Sequence, residues 1–176
     1  MHNDWVSCVK FFTDEQGKAQ PMVVSASYDK TIKVWNNNTM QLMHTFVGHK
    51  NMITCIDIAP SAAYMASGSK DCSAILWNLI EGKYLGKIDA DAPINALCFC
   101  SKKYWLIIGT DKGIQVWDLP NREFIANLTV EPIAANLKTM KKNIACLCLG
   151  WNESNTTLFA GFADGYIRVF KIIKSD

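Results

Sequence analysis

The sequence predicts an all-β chain forming part of a β-propeller, with three four-stranded blades followed by one of three strands. Three observations lead there. Asp29, Asp71, Asp111 and Asp164 each stand six residues before a large aromatic, namely Trp35, Trp77, Trp117 and Phe170. The tryptophans follow one another at intervals of 42 and 40 residues, and the step to Phe170 is 53. A period of about 40 to 45 residues closing on a Trp-Asp-like pair marks a propeller blade. Between these aromatics, short apolar runs alternate with polar turns, which excludes helical and α/β folds.

The four units are expected over residues 1–47, 48–89, 90–130 and 131–176, in one partial propeller domain spanning 1–176. In the first unit, strands are predicted over 5–12, 22–25, 31–35 and 41–46, with a polar turn from Asp14 to Pro21. In the second, Ile53-Thr54-Cys55-Ile56-Asp57-Ile58 alternates as a half-buried strand does. Strands over 64–68, 74–77 and 83–88 follow it. The third unit places strands over 94–99, 104–108, 114–117 and 123–130, and the fourth over 144–149, 158–160 and 166–170. A surface excursion from Glu131 to Asn143, carrying Lys138, Lys141 and Lys142, accounts for the stretched last interval.

Of the 176 residues, 49% are hydrophobic and 19% charged, which supplies a core and gives no case for disorder. A net charge of +2 does not by itself imply a nucleic-acid or membrane partner. Met1-His2-Asn3-Asp4-Trp5 has neither a basic n-region nor an apolar h-region, so no secretory signal is expected. No apolar run approaches the ~20 residues of a membrane span. The seven cysteines form no zinc spacing. Cys8, Cys55, Ala96 and Cys146 align in one column of small apolar residues, as reduced packing thiols would.

The repeated polar residues read as buried hydrogen-bond sets. His49, Ser67, Asp71 and Trp77 make one, and His2, Ser25, Asp29 and Trp35 repeat it. A buried Trp offers only a donor and needs an acceptor. In the third unit Ala90 replaces the His and Ile107 the Ser. In the fourth, Met140, Ala160 and Phe170 replace His, Ser and Trp. These sets share the composition of a catalytic triad, but the Ser lies on a buried strand, so bracing is expected and catalysis is not. Neither a metal site nor a cofactor is expected, since there is no glycine-rich phosphate loop and no paired acid and base. Turns on one face would carry Trp5, Tyr28, Lys30, Lys70, Asp91 and Lys112, an aromatic beside lysines that suits protein recognition. Tyr104, expected to begin a strand on the other face, is a candidate phosphorylation acceptor.

From Gly48-His49 through Val116-Trp117-Asp118 the units resemble WD repeats. Three stretches carry the likeness further: His2-Asn3-Asp4-Trp5-Val6-Ser7-Cys8-Val9, Ile94-Asn95-Ala96-Leu97-Cys98-Phe99 with Tyr104-Trp105-Leu106, and Leu158-Phe159-Ala160-Gly161. Together they resemble the last four repeats of the receptors for activated protein kinase C, the Gβ-like scaffold family of the eukaryotic small ribosomal subunit. The resemblance implies a seven-bladed parent fold and a non-enzymatic, cytoplasmic, ribosome-associated adaptor that docks kinases and ribosomal proteins, with ribosomal RNA at most an indirect partner. It also implies a kinase-docking stretch at Gly113, Ile114, Gln115, Val116, Trp117 and Asp118, running on to Pro120. Two alternatives stay open: an RNA-contacting ribosomal component using Lys138, Lys141 and Lys142, or a generic WD-repeat adaptor in another complex. A row of four blades leaves an apolar face uncovered at each end. At ~25 cal/mol per Å² of buried apolar surface, this forfeits much of a usual margin of ~5–15 kcal/mol. Further blades or self-association are therefore expected to cover those faces.

Overall fold

The computed structural model describes residues 1–13, 21–61, 63–128, 130 and 144–171. The expected excursion over 131–143, with Lys138, Lys141 and Lys142, and most of the turn after Phe12 lie outside them. The described residues form fifteen strands in four antiparallel sheets, with no helix among them. The first sheet contains β1 (Val6–Phe12), β2 (Met22–Ser27), β3 (Thr31–Asn36) and β4 (Leu42–Val47). The second contains β5 (Ile53–Ile58), β6 (Tyr64–Ser69), β7 (Ser73–Asn78) and β8 (Lys83–Asp89). The third contains β9 (Ile94–Cys100), β10 (Trp105–Thr110), β11 (Gly113–Asp118) and β12 (Glu123–Leu128). The last contains β13 (Cys146–Trp151), β14 (Thr157–Phe162) and β15 (Ile167–Lys171). Strands within each sheet pair in chain order, and the first strands β1, β5, β9 and β13 pack on one another in succession. This is the partial propeller the sequence predicts.

Alternation along the strands gives each sheet two apolar faces, and neighbouring sheets bury them between one another. Val24, Val34 and Phe46 of the first sheet meet Ile56, Met65, Ile75 and Trp77 of the second. Ala66, Ala74 and Ile88 of the second meet Leu97, Phe99 and Leu106 of the third. Ile114 and Val116 of the third meet Leu158, Ala160 and Phe170 of the last. Polar residues after the aromatics shape the outer hairpins. Asn36 Oδ1 takes the N–H groups of Asn38 and Thr39, and Asn78 Oδ1 those of Ile80 and Glu81. Asp118 does the same for Asn121.

A β-bulge recurs near the start of every first strand. The pairing register skips Ser7, Thr54, Asn95 and Leu147. A bulge re-aims the extra side chain, and here it aims at the next sheet. Ser7 donates to the Ile53 carbonyl at 2.6 Å, Thr54 to Ile94 at 2.7 Å, and Asn95 to Cys146 at 3.1 Å. Asp57 adds a second strap, taking Lys10 Nζ at 3.0 Å on one side and the Phe99 N–H at 3.0 Å on the other. Burial alone would lower the Lys10 pKa, but the Asp57 charge outweighs it and raises it.

The strand pairings correct two alignments made from spacing. Counted from the bulge, the partner of Cys8, Cys55 and Ala96 is Cys148, not Cys146, and Cys148 is exposed. Similarly, Ile108 pairs with Gln115 as Ser67 pairs with Ile75, so Ile108 rather than Ile107 stands at the Ser position. The turn between β10 and β11 is one residue shorter than those of the first two sheets, and this shifts the count. Tyr104 precedes β10 rather than beginning it, in a turn with φ of 53°. The structure adds a pairing the spacing did not show: a glycine faces the column cysteine in the second and last sheets, Gly68 opposite Cys55 and Gly161 opposite Cys148. A Cβ on Gly68 would stand 2.7 Å from Cys55 Sγ and 2.5 Å from Ile94 Cγ2.

The two outermost faces stay open among the described residues. On the first sheet Val9, Phe11 and Trp35 lie where Ile56, Ile58 and Trp77 lie in the second; Phe11 is 60% exposed, whereas Trp77 is 2% exposed. On the last sheet Phe159, Ile167 and Val169 are exposed. Because the Gly68 space is filled on two sides, Gly68→Val is expected to destabilise the chain by about 1–3 kcal/mol. A lowered urea midpoint with an unchanged m-value would show this, and an unchanged midpoint would refute the packing assignment.

Candidate functional site

The loops that join the first strands to their sheets gather on one face. Trp5, Met52 and Pro93 lead into β1, β5 and β9, and their carbonyls take the N–H groups of Tyr28, Lys70 and Asp111. That pairing holds the turns of this face in step from sheet to sheet. Two polar devices support the turns from beneath.

The first device is the pair of His–Ser–Asp–Trp sets. His49 Nδ1 lies 2.9 Å from Asp71 Oδ2, His49 Nε2 lies 2.8 Å from Ser67 Oγ, and Trp77 Nε1 donates to Ser67 Oγ at 2.8 Å. The carboxylate only accepts and the indole only donates. The donors therefore run one way: indole to hydroxyl, hydroxyl to Nε2, Nδ1–H to carboxylate. In the first sheet His2, Asp29, Ser25 and Trp35 repeat this at 2.8, 2.8 and 2.9 Å. Asp71 also takes the Lys50 N–H and the Ser73 hydroxyl, as Asp29 takes the Asn3 N–H and the Thr31 hydroxyl. Burial would raise both carboxyls, but the Ser73 and Thr31 hydroxyls and these N–H groups outweigh it. Asp71 is held at about 2 and Asp29 well below the usual carboxylate range. His49 has a fully buried side chain, and burial lowers its pKa despite Asp71. Ser67 is fully buried, so the triad-like geometry has no room for a substrate beside its hydroxyl.

The second device is what replaces these sets. In the third sheet Gln115 Oε1 accepts from Trp117 Nε1 at 3.4 Å, and Asn95 Nδ2 donates to Asp111 at 2.8 Å. In the last sheet Arg168 pairs with Asp164 at 2.6 Å and lies 4.7 Å from the centre of the Phe162 ring. That pairing lowers the Asp164 pKa. Sequence reasoning named the missing His and Ser but not Gln115, Asn95 or Arg168 as substitutes. For Gln115 and Arg168 the available signal was a side chain able to pair, two residues before Trp117 and Phe170.

On the surface, Trp5 is 78% exposed and stacks on Tyr28, with ring centroids 6.2 Å apart and planes 24° from parallel. Lys30, two residues after Tyr28, is exposed, with φ of 68°. Lys70 and Lys112 are not free to meet a partner in the same way. Lys70 Nζ donates to Asn95 Oδ1 at 2.6 Å, and Lys112 Nζ to the Asp91 carbonyl at 2.9 Å. The stretch from Gly113 to Asp118 is the third strand of its sheet. Gly113, Ile114, Gln115 and Val116 are buried and offer no surface, while Trp117 and Asp118 are partly exposed. Trp117 is thus less buried than Trp77, its counterpart in the second sheet. Burial pushes the Cys55 thiol up to about 12 and raises Cys98 further, so these groups stay protonated and pack as apolar residues. Among the described residues no three His, Cys, Asp or Glu side chains converge.

The His49 set fixes a pH dependence. The unfolded imidazole takes a proton near 6.5, while the native one takes it only at lower pH. Stability is therefore full above that range and falls as the medium is acidified through it. A further loss follows below 3.8, where the unfolded Asp71 carboxyl protonates while the native one resists until about 2. His49→Gln is expected to lower the urea midpoint at pH 8 and to flatten its decline between about pH 7 and 5. An equally steep decline in the variant would place the sensitivity elsewhere.

The repeat seen in the coordinates matches a known family. The profile of the WD domain, G-beta repeat, fits the chain four times, over residues 1–36, 40–78, 82–118 and 135–171. The chain is also 37% identical over 172 residues to the small ribosomal subunit protein RACK1y of Oryza sativa subsp. japonica. That alignment takes in 97% of this chain and 49% of that protein, so the chain spans about half the length of this relative. Four profile matches, four consecutive sheets and the bracing sets beneath their turns place the chain in the WD-repeat family.

Proposed function

We propose that the chain is a non-enzymatic scaffold that binds proteins, working in the cytoplasm at the small ribosomal subunit and linking it to kinase signalling. The likeness to a small ribosomal subunit protein supports the setting. One structural observation carries the mode of action: the Trp5 ring, stacked on Tyr28 and left facing solvent, with the exposed Lys30 in the same turn as Tyr28. An exposed Trp held at fixed orientation loses little freedom on binding, and such residues dominate protein interfaces. The hydrogen-bonded sets under the turns hold it there, so the fold supplies orientation and the loops supply contact. In this reading the apolar faces at Phe11 and Ile167 are covered by further blades of the same kind. The RNA-contacting alternative rests on Lys138, Lys141 and Lys142, which lie outside the described residues, and nothing described favours it.

Co-sedimentation with purified small ribosomal subunits tests the reading. Trp5→Ser is expected to reduce the bound fraction's affinity by about tenfold or more, with unchanged circular dichroism. Lys30→Glu is expected to reduce it less, with an effect that fades as salt is raised. Co-sedimentation that is absent for the unaltered chain, or unaffected by Trp5→Ser, would overturn the proposal.

A further inference from the structure

Where two sheets meet, the outer strand of the earlier one lies against the aromatic corner of the later one. The first two junctions are not filled alike. At the first, β4 presents His44, which pairs with Val34, and Phe46, which pairs with Ile32. The His44 ring closes on Gly82, where a Cβ would stand 2.8 Å from His44 Nδ1. Phe46 lies against Trp77 with ring centroids 5.1 Å apart. At the second junction β8 has Gly86, which pairs with Leu76, and Ile88, which pairs with Ala74. A glycine thus replaces the imidazole and an isoleucine the phenyl ring.

The missing volume remains as a groove of about 250 Å³ with Leu76, Ile88, Trp117 and Leu119 among its lining. This is why Trp117 is partly exposed while Trp77 is buried. Gly86 and Arg122 form its side. Arg122 stands five residues after Trp117, as Gly82 stands five after Trp77, and both have left-handed backbones with φ of 57° and 68°. A long side chain is thus held at a position that favours glycine, which is a strained choice. Its guanidinium carbon lies 4.0 Å from where a Gly86 Cβ would stand. The nearby acid Asp89 is taken by Lys87, and among the described residues no carboxylate pairs with Arg122.

The groove also borders an open strand edge. β8 is the last strand of its sheet, so among the described residues its outer backbone groups have no partner strand. A cavity of this size falls below the roughly 300 Å³ of sites for drug-sized ligands. It suits one side chain of a peptide. An extended segment laid along an open edge gains main-chain hydrogen bonds, and a pocket beside that edge selects its side chains.

We infer that the groove between the second and third sheets receives an extended segment of a partner protein, which adds to the edge of β8, places one aliphatic side chain over Trp117 and offers a carboxylate to Arg122. The inference rests on the reading of the chain as a protein-binding scaffold, but it uses a surface separate from Trp5. The unpaired guanidinium argues for an acidic segment, because its planar donors match a carboxylate.

Fluorescence polarisation of the whole chain against an array of labelled extended peptides, about seven residues each, tests it. Each peptide carries a central Leu or Ile and an Asp or Glu one or two places away, in a Thr and Val background. Controls replace the aliphatic residue by Ser or the acid by Lys. The acidic aliphatic peptides are expected to bind and both controls to fail. Gly86→His fills the groove as His44 fills the first junction, and its Cβ meets no atom nearer than 4.0 Å, so the sheet tolerates it. That variant and Arg122→Glu are each expected to weaken binding at least about tenfold, with unchanged circular dichroism, while Trp5→Ser leaves it intact. Three results would overturn the inference: no peptide binding better than its Ser control, preference for the Lys peptides, or tight binding retained in both groove variants. Since ribosome co-sedimentation is scored through Trp5, failure here and failure of the scaffold reading are separate results.

Discussion

Sheets with two apolar faces must be covered on both sides, and nearly every other feature of the chain follows from that requirement. The second sheet sends Ile56, Met65 and Trp77 back to the first and Ala66, Ala74 and Ile88 forward to the third. Neither contact exists for an isolated sheet, so stability builds from neighbour to neighbour. Packing this close leaves little room near the innermost strands, where Gly68, Gly109 and Gly161 make space for Cys55, Cys146 and Cys148. The bulge at each first strand serves the same end, turning one side chain out of the ladder and onto the adjoining sheet.

Covering an aromatic corner brings the Trp indole N–H out of water, and such a donor costs about 1–3 kcal/mol if left unmet. The chain meets this need in different ways. Ser67 accepts from Trp77 and is itself fixed by His49 and Asp71. Gln115 accepts from Trp117 directly, and the last sheet has Phe170 at the matching corner, which carries no N–H to meet. The turn aspartates then find other donors, Asn95 for Asp111 and Arg168 for Asp164. Bracing of the turns is thus kept while its chemistry varies.

The fold was legible because its strongest signal is a spacing. The Asp-to-aromatic interval survives in all four units, and it places each third strand and the residue that begins its turn. What spacing could not reveal was the length of individual turns. One residue fewer between β10 and β11 moves Ile108 to the place assigned to Ile107. A bulge at Leu147 moves Cys148 to the place assigned to Cys146. Surface residues were legible in position but not in engagement. Trp5 and Tyr28 stand on the expected face and touch, whereas Lys70 and Lys112 are drawn down onto Asn95 and Asp91. The stretch from Gly113 to Val116 is a strand first, and its burial follows from that. The Gly86 groove was invisible because it depends on comparing two junctions, residue against residue.

The hydrogen bonds from Ser7, Thr54 and Asn95 all point the same way, with the hydroxyl or amide on the earlier sheet and the carbonyl on the later one. Such a row has a head and a tail, like links that couple hook to eye. Two heads brought together could not reproduce these bonds, so a mirrored pairing of like faces would forgo them. The series also stops at β13, because Leu147 holds the corresponding place and has no group to donate. At that place the last sheet can offer a neighbour apolar contact but no hydrogen bond.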